Sequence, residues 1–242
     1  MMFGQMNIKM KYGVMEMNVK LINYSKMPYD KKFIPGTEEQ ERNLLEQIAY
    51  VARVSNPTNQ DNNETAEKLV RYLIKNQHWS PLEMVNVCLE IETTRDIARQ
   101  ILRHRSFSFQ EFSQRYADPT QLGFEFREAR LQDTKNRQNS IETHNKDLQA
   151  GWKIRQDHLM ERIQELYEWA IDRGIAKEQA RAILPEGMTV SRLYMNGTLR
   201  SWLHYIQLRS DVATQKEHRE VSLACAKAIE PIFPMIMEFV NV

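Results

Sequence analysis

Only two cysteines, Cys88 and Cys225, occur in 242 residues. They are too few and too isolated for a disulfide framework or a four-ligand zinc site, where C-x-x-C pairs are expected. No apolar run approaches the roughly 18 residues needed to span a bilayer. The methionine-rich start, Met1 to Met17, is broken by Lys9, Lys11 and Glu16, so it lacks the apolar stretch of a signal peptide. Charge of one sign is missing too: 33 Lys and Arg against 32 Asp and Glu leave a net +1, which argues against a general nucleic-acid binder. The histidines at 78, 104, 144, 158, 204 and 218 show no H-E-x-x-H or comparable ligand spacing, so no metal is expected. With no internal repeat either, the chain reads as a cytosolic protein, or one of the host cytoplasm if its source is a virus.

What is there reads as helices around a few strands. Met17 to Tyr24 alternates as a strand, a Pro/Gly stretch covers Pro28 to Gly36, and Thr37 is expected to cap a helix in which Leu44, Leu45, Ile48 and Val51 fall at helical spacing. Ser55 to Asn63 is a loop, and Ala66, Leu69, Val70, Leu73 and Ile74 mark a second helix ending near Gln77. Val85, Val87, Leu89 and Ile91 alternate with Asn86, Cys88, Glu90 and Glu92, the pattern of a half-buried strand. Thr94 starts a helix through Ile97, Ala98, Ile101 and Leu102, which delivers Gln100 and Arg103 to its C-terminal end. After Arg105, Phe107 and Phe109 take one parity and Ser106, Ser108 and Gln110 the other, so the backbone is extended there.

Phe124 and Phe126 continue a strand, and Asp133 to Gln149 is polar enough to be a loop or insertion of weak order. Trp152, Leu159, Ile163, Leu166, Tyr167 and Ala170 define a long amphipathic helix with a packed face, which Gly174 stops. Helices are also expected over Ala176 to Leu184, Leu199 to Leu208 and Ala213 to Ile229; no element is read between 186 and 198. The whole predicts one α+β domain over 1–242, a central, mainly antiparallel sheet flanked by long helices, with a polar insertion or loop at 131–150.

Against the balanced charge, one cluster stands out. Arg103 to Arg115 reads R-H-R-S-F-S-F-Q-E-F-S-Q-R, four cations or potential cations, three serines and a glutamate in thirteen positions. Charge-assisted hydrogen bonds from such a cluster suit an anion. Plainer readings exist for each residue. A basic tripeptide after a helix neutralises the helix dipole, His78 and His204 serve as structural or core histidines, and Arg181 and Arg209 as ion-pair partners of Glu178 or Glu217. Phe107, Phe109, Phe112 and Tyr116 read as core rather than a stacking platform.

The full run fits R-H-R-x-x-S-x-x-E-x-S-x-R at Arg103, His104, Arg105, Ser108, Glu111, Ser113 and Arg115, and so resembles the signature of the flavin-dependent thymidylate synthases. Seven fixed positions arise by chance in such a chain with a probability on the order of 10⁻⁷. Ala52-Arg53-Val54-Ser55 and His78-Trp79-Ser80-Pro81-Leu82-Glu83 are similar to two upstream family segments. Ala180-Arg181, Leu184-Pro185, Leu199 to His204, Leu208-Arg209, and Gln215 with Glu217 are similar to the family's C-terminal half.

The resemblance implies methylation of deoxyuridylate (dUMP) to thymidylate (dTMP), with a one-carbon unit from methylenetetrahydrofolate and a hydride from reduced FAD, which NADPH regenerates. The cofactor carries the redox step and the protein binds and orients. By the same resemblance Gln100, Arg103, Glu111, Phe112 and Ser113 line the nucleotide site, together with Gln114, Arg115, Arg181 and Arg209. The flavin draws on Ser55, His78, Ser80, Arg103 and His104, and on Arg105, Glu111, Arg200 and His204. Three residues are expected nearest the chemistry: Arg209 beside the uracil ring, His78 placing flavin and folate, and Ser113 as a nucleotide contact rather than a nucleophile. Neither cysteine lies near the motif. The resemblance also implies a homotetramer with active sites shared between subunits.

Two other classes stay open on the residues alone. A single-strand nucleic-acid binder also interleaves arginine with aromatics, although no second basic stripe exists here. A structural or oligomerisation module fits the long amphipathic helices.

Overall fold

The computed structural model describes residues 12–13, 18–28 and 41–241. Met17, Thr37, most of the Pro/Gly stretch and most of the methionine-rich start lie outside them. The described residues group into two compact units, one of 12–13, 18, 92–103 and 111–193, the other of 19–28, 41–91, 104–110 and 194–241. Four strands, β1 Val19–Tyr24, β2 Asn86–Thr94, β3 Phe107–Glu111 and β4 Val190–Thr198, form a sheet in the order β1-β2-β4-β3. The α-helices of the described residues are α1 Leu44–Ala52, α2 Ala66–Lys75, α3 Arg95–Ile101, α4 Lys146–Asp172, α5 Lys177–Ala180, α6 Leu199–Arg209 and α7 Lys216–Ile229. This is the α+β architecture that the patterning predicts. Among the described residues no helix is long and apolar enough to cross a membrane.

In the second unit β1 and β2 pair antiparallel, Val19 opposite Ile91, with a shift of register between Leu21 and Asn23. Val87, Leu89 and Ile91 are fully buried, which is why the alternation of β2 is so clear in the sequence. Asn43 caps α1 with a capping box: it accepts from the Glu46 amide at 3.0 Å while its own amide donates to the Glu46 carboxylate at 3.0 Å. Helix α7 packs on α6 and β1, and the Trp202 indole N–H donates to the Val87 carbonyl at 3.0 Å. The Phe107 ring meets Trp202 edge-on, centroids 4.9 Å apart. Gly197 makes that packing possible, because a Cβ there would sit 2.3 Å from the Phe107 ring. Helix α7 starts three residues later than the patterning expects; Asp211 ties the Ala213 and Thr214 amides at 2.8 and 2.9 Å into a turn instead.

In the first unit α4 starts at Lys146, inside the segment expected to be a loop, because Asn145 accepts from the Leu148 amide at 3.0 Å and caps it. Residues 140–142 pair antiparallel with 130–132, giving that segment a two-stranded ribbon as well. Gly174 ends α4 as expected, at φ +77°, with its amide on Ile171 and the Ile175 amide on Ala170. Met160, Tyr167 and Ala170 pack with Phe124, Leu184 and Met188. The expectation of one packed face for the whole α4 stripe needs correcting. Trp152, Leu159 and Leu166, spaced by seven, are 42%, 51% and 49% exposed, since the apolar stripe is wider than the surface the unit lays against it. The helix expected from Ala176 to Leu184 tightens after Ala180 into a 3-10 turn, Arg181–Ile183, because a residue before proline, here Leu184, avoids helical geometry.

Candidate active site

The first unit builds its site around the start of α3. The Arg95 amide donates to the Thr189 carbonyl at 3.0 Å and the Asp96 amide to Glu186 at 3.3 Å, while Arg127 bonds Thr94 and Asp96 at 2.5 and 2.8 Å. So anchored, α3 presents Arg95 and Arg99, four residues apart, on one face. Where β3 ends, the Phe112 amide donates to the Arg192 carbonyl at 2.8 Å. The chain then turns, the Ser113 carbonyl accepting from the Tyr116 and Ala117 amides at 3.1 and 3.0 Å. This turn buries Gln114 and leaves Ser113, Arg115 and Tyr116 exposed.

A cavity of about 340 Å³ opens here, lined by Arg95, Arg99, Gln114, Glu178, Arg181 and Glu186, with Ala182 and Leu184. Two of its three guanidiniums are committed: Arg99 is paired with Glu186, and Arg95 reaches Glu111 Oε1 at 3.4 Å. Among the described residues Arg181 makes no ion pair, and Gln114 Nε2 is buried without a hydrogen-bond partner. A buried amide left unsatisfied costs about 1–3 kcal/mol. A ligand with negatively charged acceptor oxygens recovers that cost and neutralises Arg181, so the donor set suits a phosphate group.

Of the residues expected at a nucleotide site, Gln114 and Arg181 line this cavity; Gln100, Arg103, Phe112, Ser113 and Arg115 belong to the same unit but not to the lining. Glu111 stands just outside, its Oε1 accepting also from Ser191 Oγ at 2.9 Å. The sequence reading missed Arg95, Arg99, Glu186 and Ser191. The four-residue spacing of the two arginines was the available signal; Ser191 left none.

The second unit gathers the rest. Arg209 Nε donates to His104 Nε2 at 2.9 Å, and the His104 ring stands edge-on to Tyr205, centroids 4.9 Å apart. Burial, and after it the Arg209 charge, pulls the His104 pKa down to about 4. Behind them His218, fully buried, places Nε2 3.2 Å from the Tyr205 hydroxyl. Its pKa falls to about 3 through burial, then the charge of Arg209 and the presence of His104. Tyr205 and His218 were invisible in the sequence as site neighbours, because both read as interior positions of helices.

His204 is exposed and edge-on to Trp79, centroids 4.7 Å apart; partial burial and Arg200 lower its pKa. Arg200 is paired with Glu83. His78 is exposed and lies edge-on to Tyr72, with its amide on the Leu73 carbonyl at 2.8 Å. The preceding Gln77 takes a left-handed φ of 59°. Ser55, Ser80 and Arg105 are exposed, and Arg105 has no ion pair among the described residues. Arg53, by contrast, is buried and bonds Asn62 and Thr65, so it holds the loop that follows Ser55.

Residues 38–235 match the family model described as thymidylate synthase complementing protein. Over 220 residues the chain is 47% identical to a probable flavin-dependent thymidylate synthase of Paramecium bursaria Chlorella virus 1, an alignment spanning 91% of this chain and 97% of that protein. The chain belongs to the flavin-dependent thymidylate synthase family. A flavin-dependent thymidylate synthase of Synechocystis is 52% identical over 189 residues, 78% of this chain and 86% of that protein. The fold is shared with the UMP/dUMP methylase PolB of Streptomyces cacaoi, whose crystal structure holds 5-Br dUMP. Its TM-score is 0.76 at 23% identity, over 95% of this chain and 96% of that one. Every segment that carried the family resemblance, from Ala52 to Glu217, lies inside the matched span.

Proposed function

We propose that this family member methylates dUMP reductively to dTMP, with methylenetetrahydrofolate as one-carbon donor, and acts as a single functional domain over 1–242. The observation that carries the reading is the cavity beside the motif, where, among the described residues, Arg181 makes no ion pair and the Gln114 amide is buried without a partner. A nucleotide monophosphate answers both, its phosphate taking Arg181 and Gln114, with the exposed Ser113 and Arg115 on either side of Gln114 adding donors. Gln100, Arg103, Glu111 and Phe112 contact the remainder of the nucleotide. The names of the relatives support an enzyme over a nucleic-acid binder or a structural module.

The donor chemistry also fits FAD. Arg103 and Arg105 are exposed guanidiniums without an ion pair among the described residues, suited to a pyrophosphate. Ser55, His78, Ser80, His104, Arg200 and His204 complete the set that would hold it, and the family resemblance adds Glu111 to that set. When bound and reduced by NADPH, the flavin would supply the hydride. Arg209, oriented by His104, is the guanidinium beside the uracil ring. A fixed positive charge there favours the N3-deprotonated, electron-rich pyrimidine. His78 places flavin and folate.

The exposed Trp152, Leu159 and Leu166 of α4 support subunit contacts, and we assign a cytoplasmic homotetramer whose neighbouring subunits share the active sites. The test is the visible absorption spectrum of purified protein before and after adding FAD, then dUMP. A flavin spectrum that shifts on nucleotide addition is expected. Well-folded protein that neither retains nor recruits FAD overturns the reading.

A further inference from the structure

Among the described residues Glu111 is held through one oxygen, Oε1. Ser191 Oγ donates to its Oε1 at 2.9 Å and Arg95 Nη1 reaches the same atom at 3.4 Å. Ser191 is itself fully buried on β4, and the backbone fixes the approach, because the Phe112 amide bonds the Arg192 carbonyl and the Arg95 amide the Thr189 carbonyl. Two donors converging on Oε1 set the orientation of the carboxylate and direct Oε2 elsewhere. An ionised carboxylate only accepts hydrogen bonds, so it repels a phosphate and suits a sugar hydroxyl or a base N–H.

We propose that Ser191 and Arg95 are positioning residues that fix Glu111 by Oε1 and so present Oε2 to the nucleoside part of the substrate, away from its phosphate. This rests on the reading of Glu111 as a nucleotide contact. Ser191 acts through Glu111, and the phosphate end at Arg181 and Gln114 does not depend on it; Arg95 also lines the cavity of Arg181 and Gln114, so Ser191 carries the main test.

The experiment titrates dUMP, and separately inorganic phosphate as a competitor, into FAD-loaded wild type and Ser191→Ala, with steady-state kinetics alongside. Removing a hydrogen bond to a charged group weakens dUMP binding roughly tenfold or more. A rise in KM is expected with kcat little changed, while competition by inorganic phosphate stays at the wild-type level. Arg95→Met is expected to weaken dUMP binding less, in keeping with its longer contact, and Arg95→Lys to restore part of the loss. In a double-mutant cycle with Glu111→Ala, Ser191→Ala is expected to add little further loss. Wild-type dUMP affinity in Ser191→Ala, additive losses in the cycle, or an equal loss of phosphate competition would each overturn the positioning role. Should the wild type itself not bind dUMP, the nucleotide reading fails first, and that outcome is read before any variant is made. If Ser191→Ala does not fold, the Arg95→Met and Arg95→Lys pair is read against phosphate competition: weaker dUMP binding with competition kept supports the positioning role, and wild-type affinity in Arg95→Met, or an equal loss of phosphate competition, overturns it.

Discussion

The Nε–H of Arg209 points at Nε2 of His104 across 2.9 Å. An imidazole accepts at Nε2 only when neutral, with its proton on Nδ1, so the contact requires the uncharged ring that burial and Arg209 both favour. His104 is thereby a fixed acceptor that orients Arg209, and Arg209 keeps it in that state.

Arg209→Ala is expected to lower turnover at saturating dUMP by about 100-fold, the scale of losing one preorganised electrostatic donor. It is also expected to raise the His104 pKa, because the cation that depresses it is gone. Single-turnover kinetics and imidazole NMR check the two effects; near-normal methylation in this variant contradicts activation of the pyrimidine by Arg209.

Stability should fall on acidification from pH 6.5. His104 and His218 titrate near 4 and 3 in the folded chain against 6.5 when unfolded. Between those values the unfolded state binds more protons than the folded one, so stability is complete above 6.5 and is lost as pH falls through the window. For the fully buried His218 the slope is about 1.4 kcal/mol per pH unit. Denaturant midpoints measured from pH 7 to 4.5 test this: His218→Asn should show a shallower decline than wild type, and equal slopes refute it.

The cysteines are expected to be dispensable for chemistry. Burial raises the pKa of both thiols, so neither supplies a thiolate at neutral pH. Cys88→Ser combined with Cys225→Ala should keep most of the wild-type turnover, measured as dTMP formed per enzyme. A folded but inactive double variant contradicts a cysteine-free mechanism.

Gly197→Ala should destabilise the fold by about 1–3 kcal/mol, the usual cost of overpacking, since the new methyl carbon meets the Phe107 ring at 2.3 Å. A drop in Tm of about 2–4 °C per kcal/mol is expected, and adding Phe107→Leu should recover part of it. An unchanged Tm would show that the ring moves aside freely.

Much of the fold was legible where one face of an element meets the core. Strand β2 shows in the alternation of Val87, Leu89 and Ile91, and the C-terminal stop of α4 in Gly174. Strand β4 was not read from the sequence; in the folded chain the Phe107 ring packs against the bare Gly197 where the strand passes. The start of α4 was hidden in polar residues, since a cap such as Asn145 looks like any loop asparagine until its oxygen meets the Leu148 amide. At the site, Gln114 and Arg181 came from the family resemblance, whereas Arg95, Ser191, Tyr205 and His218 make their contacts with residues distant in the chain.

By itself the sequence determined the family and the chemical inventory, because seven fixed positions in thirteen survive any change of context. Tertiary structure alone decided which of those groups are already committed. Ion pairing and burial depend on which segments meet, so only the folded chain shows Arg99 spent on Glu186, Arg181 without an ion pair among the described residues, the Gln114 amide buried without a partner, and His104 kept neutral under Arg209.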